Sequence, residues 1–298
     1  MYTIAVLDYR LPPEAQAHIQ ALAANHVTFP KARCPEGQRV QRTGNAEIVL
    51  VTPWEKIDAA YLDACPRLQY IGLCGTSTAN IDLAELAKRG IAFSNIVSHD
   101  KEAVAEYFFM QLVCLARGAG VYQWKVHEEH ELAGRRMGII GLGAVGQAIA
   151  HMALAYKMKI AYYSPHRKQA WEARGLEYME RLQLVASSEI VVVCSPTNVT
   201  VLDKAAFAAM QPGNIVVQAG AGSSFQEEAF LDWIAEDGNF ALLDMSAGEA
   251  NYQRYKNIPR VIFPQAVAGD TYESNQRRGK RALENLHHFL KSQQRNPK

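Results

Sequence analysis

Between Ile140 and Gln147 the chain reads Gly141-Leu142-Gly143-Ala144-Val145-Gly146, three glycines spaced G-x-G-x-x-G. An apolar run, Met137–Ile140, precedes them and a helical pattern follows. In that context each glycine has its own task. Gly141 makes the tight strand-to-helix turn, Gly143 lets a pyrophosphate come close, and Gly146 lets the helix pack on the strand. The phosphates meet the first-turn amides at Ala144 and Val145 and the positive end of the helix. A plain glycine turn does not require this spacing between a strand and a helix, so the stretch is read as a dinucleotide phosphate loop.

The next strand ends in Ser164, which lies 164 − 146 = 18 residues past the last glycine, followed by Pro165, His166, Arg167 and Lys168. An NAD site wants a carboxylate near there to hold the ribose 2′-hydroxyl. A hydroxyl, an imidazole, a guanidinium and an ammonium suit a 2′-phosphate instead, through charge-assisted hydrogen bonds. NADP(H) is therefore expected over NAD(H), the alternative being a solvated basic turn.

A second bare stretch is VVQAGAGSSF, residues 216–225. Gly220, Ala221, Gly222, Ser223 and Ser224 carry no charge and leave the backbone open to close approach. Other groups with chemistry are scattered. Glu249 can stabilise a cation or act alone as an acid–base group, or be a loop acid in solvent. Gln265 can donate a hydrogen bond to a carbonyl but releases no proton at neutral pH. His99 and Lys101 offer a proton donor or a positive charge, against a reading as exposed loop polars. His127-Glu128-Glu129-His130 sits in a polar connector and carries no metal expectation. His287-His288 reads as surface.

These groups need a frame, and the chain supplies one. Short apolar runs are expected as strands at Thr3–Leu7, Ile48–Val51, Gln69–Leu73, Ile91–Phe93, Met137–Ile140, Lys159–Tyr163, Ile190–Cys194, Asn214–Val217, Phe240–Leu243 and Val261–Phe263. Many are β-branched, as strands buried on both faces should be. Helical patterns fill the gaps. Asp82-Leu83-Ala84-Glu85 reads as a capping box with Gly90 closing the helix, and Ser224–Glu227 and Asp270–Glu273 are expected to open two more. Alternation of this kind gives parallel sheets with right-handed crossovers. The long helix Glu102–Arg117 and the polar stretch Tyr122–Gly134 mark the boundary between two domains. The final helix, Tyr272–Leu290, is expected to pack back on the first.

The totals agree with an enzyme of about two domains: 298 residues, 49% hydrophobic, 20% charged, net charge +1. Neither a nucleic-acid nor a membrane partner is implied by that balance. The cysteine count of five is odd and without CxxC, which favours a reduced, cytoplasmic setting over a disulfide framework. The N-terminal run meets Asp8 early, as a first strand would and a signal peptide would not.

Beyond the phosphate loop, Leu68-Gln69-Tyr70-Ile71-Gly72, Asn80-Ile81-Asp82-Leu83, Arg89-Gly90-Ile91, Asn95, Val104-Ala105-Glu106, Gln211-Pro212-Gly213 and Ala268-Gly269 follow in one order. Together they resemble the D-2-hydroxyacid dehydrogenase family over nearly the whole chain. The resemblance implies an α/β protein of two Rossmann-like domains with parallel sheets and the active-site cleft between them. It implies a substrate domain built from residues 1–98 and 270–298, a dinucleotide domain over 99–269, and a homodimer. Substrate carboxylate is then held by the loop Gly75, Thr76, Ser77 and Thr78, and the cofactor also by Ser195, Pro196, Gly220 and Asp244.

In this family an Arg clamps a 2-oxo or 2-hydroxy acid, a His passes the proton, and a Glu orients the His. By the resemblance, Gln218 stands at the family's Asn, Ala221 at the Arg, Gln265 at the His, and Glu249 keeps the Glu. A general acid is worth roughly 10²–10⁴ in rate, so ordinary 2-oxo acid reduction is not expected. The expectation is an NAD(P)-dependent oxidoreductase of a small substrate such as an imine. The alternatives are a cofactor-binding sensor or partner-binding protein without turnover, and a weak reductase of glyoxylate or hydroxypyruvate.

Overall fold

The computed structural model describes residues 1–125, 128–196 and 199–295. The chain divides into two compact units, Met1–His99 with Thr271–Lys298, and Asp100–Asp270. Both are parallel α/β layers.

The first unit carries β1 (Ile4–Val6), β2 (Ile48–Val51), β3 (Tyr70–Leu73) and β4 (Ala92–Asn95) in the spatial order β1-β2-β3-β4. The central strands are buried along their whole length, the pattern a parallel strand covered on both faces demands. Helices α1 (Pro13–Leu22), α2 (Arg39–Thr43), α3 (Ala59–Ala64) and α4 (Leu83–Lys88) connect them. Half of the box expected at α4 forms: the Asp82 carboxylate accepts from the Glu85 amide at 2.9 Å and Gly90 follows at φ +67°, but the Asp82 amide donates to the Ile57 carbonyl and the Glu85 carboxylate turns to Arg89.

The second unit opens with α5 (Lys101–Ala116) and a seven-stranded sheet. Its strands are β5 (Arg136–Ile140), β6 (Lys159–Tyr163), β7 (Glu177–Tyr178), β8 (Ile190–Val193), β9 (Ile215–Gln218), β10 (Phe240–Leu242) and β11 (Val261–Ile262). The order is β11-β10-β9-β8-β5-β6-β7, all parallel. Chain direction across the sheet therefore reverses at β5, which pairs with β6 on one side and β8 on the other. Ligands of open α/β sheets bind outside the carboxyl ends of the strands at such a switch. Helices α6 (Ala144–Ala155), α7 (Gln169–Glu172), α8 (Arg181–Ser187), α9 (Lys204–Ala209), α10 (Glu227–Ala235) and α11 (Glu249–Tyr255) cover the faces. The chain then returns to the first unit as α12 (Tyr272–Arg295), where Phe289 stacks on Tyr70 at 4.5 Å.

Three local expectations are corrected. Ser224 does not open α10; Gln226 occupies the cap, and the Ser224 hydroxyl instead meets Ser195 and Gln218. Thr271, not Asp270, caps α12, its hydroxyl accepting from the Ser274 amide at 3.1 Å. The connector after α5 is not wholly polar surface: Trp124 is fully buried and donates from Nε1 to the Gly213 carbonyl at 2.7 Å. None of the described helices is long and apolar enough to cross a membrane.

Candidate active site

The phosphate loop leaves β5 at Gly141, where φ is +97° and the amide donates to the Tyr163 carbonyl at 2.8 Å. A Cβ at Gly141 would lie 2.7 Å from the Cys194 carbonyl oxygen, and one at Gly146 would lie 2.1 Å from the Gly141 oxygen. Both glycines are demanded by the fold itself. Gly143 differs: nothing lies within 4 Å of where its Cβ would be. It is the N-cap of α6 and offers no side chain to the first-turn amides. Those amides are left for an anion, which is the fit a dinucleotide pyrophosphate requires.

At the carboxyl end of β6, Ser164 is buried, His166 and Arg167 are exposed, and Lys168 is half-buried. Arg167 is not a loose cation. Its Nε and Nη2 donate to both oxygens of Glu172 at 3.1 and 2.5 Å, and its guanidinium lies 4.9 Å from the Tyr178 ring centre.

The small-residue loop after β9 is fastened by its backbone. The Ala219 and Gly220 amides donate to the Val193 carbonyl, and the Gly222 amide to the Ser246 carbonyl at 2.9 Å. Beneath it, Gln218 donates from Nε2 to the Gly220 carbonyl at 3.1 Å and to the Ser224 hydroxyl at 3.2 Å, while the buried Ser195 hydroxyl also donates to Ser224. Gln218 thus braces the loop. Ala221 is half-buried on it; Pro196 is exposed at the end of the β8 segment.

Two further positions expected to carry chemistry in this unit, Glu249 and Gln265, are open to solvent. Glu249 begins α11 and accepts from Gln253 Nε2 at 2.6 Å. Gln265 is exposed between β11 and α12. Among the described residues no hydrogen bond joins the two.

One carboxyl of this unit, Asp244, is shifted upward. It is 1% exposed and its Oδ2 accepts from the Ala268 amide at 2.6 Å and the Ser246 hydroxyl at 2.9 Å. Burial pushes it up to about 6, those two donors pull partly back, and the Asp100 charge adds to the rise. On α5 nearby, burial and the Asp244 charge push the Tyr107 phenol up to about 12. Tyr107 Oη and both amide atoms of Gln111, one turn on, are sealed without a partner at hydrogen-bonding geometry. Nothing in the α5 pattern reveals this polar patch, because the helix reads as an apolar core element.

An acid whose folded pKa exceeds its unfolded value stabilises the fold while protonated. That contribution is complete below about pH 4 and is lost as pH rises through about 6. The rise of about two units, 3.8 to about 6, corresponds to about 3 kcal/mol as an upper figure. Asp244→Asn is therefore expected to lose less stability than the parent between about pH 4 and about pH 7. Denaturant unfolding of both proteins at the two pH values checks this; equal losses would place the Asp244 shift elsewhere.

In the first unit, the loop after β3 is pinned to the segment after β4. The Ile96 amide donates to the Gly75 carbonyl, Thr76 Oγ1 to the Ile96 carbonyl, and Asn95 Nδ2 to the Thr76 carbonyl, at 3.0, 3.0 and 3.1 Å. Ser77 and Thr78 complete the turn, half-buried. His99 is not an exposed loop polar: it is 4% exposed, and Nε2 accepts from Nε of the buried Arg278 at 3.4 Å. Accepting there puts a lone pair, not a proton, on Nε2. Lys101, at the start of α5 in the second unit, pairs with Glu102 at 3.2 Å. Among the described residues no cluster of His, Cys, Asp and Glu could hold a metal; His127 lies outside them.

A family model described as D-isomer specific 2-hydroxyacid dehydrogenase, NAD binding domain, matches residues 113–264. Glyoxylate reductase of Thermococcus litoralis is 27% identical over 290 residues, covering 89% of this chain and 86% of that protein. Hydroxypyruvate reductase of Blautia hydrogenotrophica is 25% identical over 276 residues, covering 85% and 84%. An acyclic imino acid reductase in complex with NADPH and D-Arg superposes with a TM-score of 0.82 at 21% identity, over 97% of each chain. D-lactate dehydrogenase from Aquifex aeolicus, complexed with NAD and lactic acid, gives 0.79 at 20% identity, over 97% and 96%. At such identities the two structures speak for the fold.

Proposed function

Because the chain belongs to the D-isomer specific 2-hydroxyacid dehydrogenase family, we propose that it is a nicotinamide-dependent oxidoreductase whose small substrate presents a C=N bond instead of the carbonyl of an ordinary 2-oxo acid. The observation that carries this reading is a contrast. The phosphate loop keeps all three glycines, whereas Ala221 and Gln265 stand at the positions assigned to the family's Arg and His.

Reducing a 2-oxo acid leaves an alkoxide, which needs a proton; Gln265 has none to give. An iminium already carries its proton, accepts hydride and leaves a neutral amine. It is also a cation, so an arginine at position 221 would repel it and an alanine does not. Glu249 supplies negative charge on the same unit. The likeness of fold to a protein described as an acyclic imino acid reductase adds support.

Residues Gly141, Gly143, Ala144, Val145 and Gly146 would hold the pyrophosphate, with Ser195, Pro196, Gly220 and Asp244 along the rest of the cofactor. When bound, the dinucleotide supplies the hydride. Ser164, His166, Arg167 and Lys168 favour a 2′-phosphate, hence NADPH over NADH.

The test is a panel of oxo acids, aldehydes and preformed imines mixed with NADPH and protein, read by the reduced-nicotinamide absorbance. Consumption with imines and not with the oxo acids alone is expected. In that assay Glu249→Gln should turn over at least about tenfold more slowly, with cofactor affinity little changed; equal turnover removes Glu249 from the account. Consumption with glyoxylate alone would support the second reading, a glyoxylate or hydroxypyruvate reductase, which the names of the relatives favour. Tight binding with no consumption anywhere would leave a cofactor-binding sensor.

A further inference from the structure

Tyr162 sits on β6 with its ring fully buried and its phenol oxygen used twice. It accepts from the Lys168 amide at 2.7 Å and donates to Glu172 Oε1 at 2.7 Å. Glu172, on α7, spends the rest of its carboxylate on Arg167. The result is one connected strut: backbone of Lys168, Tyr162, Glu172, Arg167, with Tyr178 as a platform under the guanidinium. Arg167 first and Tyr162 second hold the Glu172 carboxyl below its usual range, so it stays an anion.

The strut fixes one edge of Arg167 and leaves the other. Nε and Nη2 face Glu172, while Nη1 has no hydrogen-bond partner among the described residues. A guanidinium can bridge two anions in this way, one on each edge.

We infer that Glu172, held by Tyr162, is a positioning residue for NADP(H) selectivity: it orders Arg167 so that its open edge is preset for the ribose 2′-phosphate. This rests on the NADPH reading above. Two effects of Glu172 oppose each other. Its charge repels the phosphate across the width of the guanidinium, worth a factor of about two in salty water. Against that, ordering a free arginine on binding costs a factor of about two to ten. Arg167 is 61% exposed along its side chain, and without Glu172 only the Tyr178 ring would restrain it, so ordering outweighs repulsion.

Dissociation constants for NADPH and NADH, measured by calorimetry on the full chain, test this. The parent should favour NADPH, and Arg167→Ala should lose that margin. Glu172→Ala should lower the NADPH-to-NADH affinity ratio by up to about fivefold, with Glu172→Gln between it and the parent. A general loss of structure would weaken both cofactors together and leave the ratio alone. If Arg167→Ala erases the margin but Glu172→Ala keeps or raises it, the inference fails and the NADPH reading stands. If Arg167→Ala leaves the ratio unchanged, both fail.

Discussion

Ala221→Arg and Gln265→His, combined in one chain, are expected to raise glyoxylate reduction about 10²-fold or more over the parent. The double change restores the two groups whose absence defines this chain: a cation for the substrate carboxylate and an acid for the alkoxide. Neither replacement requires the core to move. Ala221 is half-buried on a loop held by its neighbours' backbone bonds, and Gln265 is exposed. Each single variant should gain little, because a clamp without a proton and a proton without a clamp leave the same step incomplete. The new activity should also fall as pH rises past about 6.5, where an ordinary imidazole loses its proton. Initial rates for the four proteins across pH measure all of this. A flat response in the double variant would mean that positions 221 and 265 do not face the reacting carbon.

The frame was legible because its signals are local. Ile48–Val51 and Lys159–Tyr163 form strands over the very residues expected, since the buried stretch of a parallel strand must be apolar, as Ile48–Val51 and the Ile160–Tyr162 centre of β6 are. The two-residue β7 carries no such run; it exists because Glu177 and Tyr178 pair with the edge of β6. Ser224–Glu227 matched a capping pattern, yet the Ser224 hydroxyl is taken by Ser195, 29 positions away in sequence, and a distant partner outbids a local one without leaving a trace in the pattern. The same limit applies to the site. Arg167 was readable from its place after a strand. Glu172 was not, since its role depends on a helix turning back over Tyr162. Asp244 was placed at the cofactor by resemblance, but its raised pKa comes from burial, which only the packed second unit supplies.

Gly146→Ala and Gly143→Ala, by contrast, should both weaken dinucleotide binding about 10²-fold, for separable reasons. At Gly146 the added carbon would lie 2.1 Å from the Gly141 oxygen, a backbone atom that cannot rotate away. Strand turn and helix must part, at a cost of about 1–3 kcal/mol or more, so the melting temperature should drop by several degrees. At Gly143 the backbone is at φ −80°, ψ −159°, which alanine adopts without strain, and the added carbon meets nothing. The free protein loses only the small preference of an N-cap for glycine over alanine, about 0.5 kcal/mol. Its methyl group nevertheless stands in the space through which the pyrophosphate approaches the α6 amides. Calorimetry with NADPH, beside thermal unfolding of the free proteins, distinguishes the two. A Gly143→Ala protein that melts like the parent and binds like the parent would show that no phosphate rests on this helix, and the nucleotide reading of the second unit would have to be abandoned.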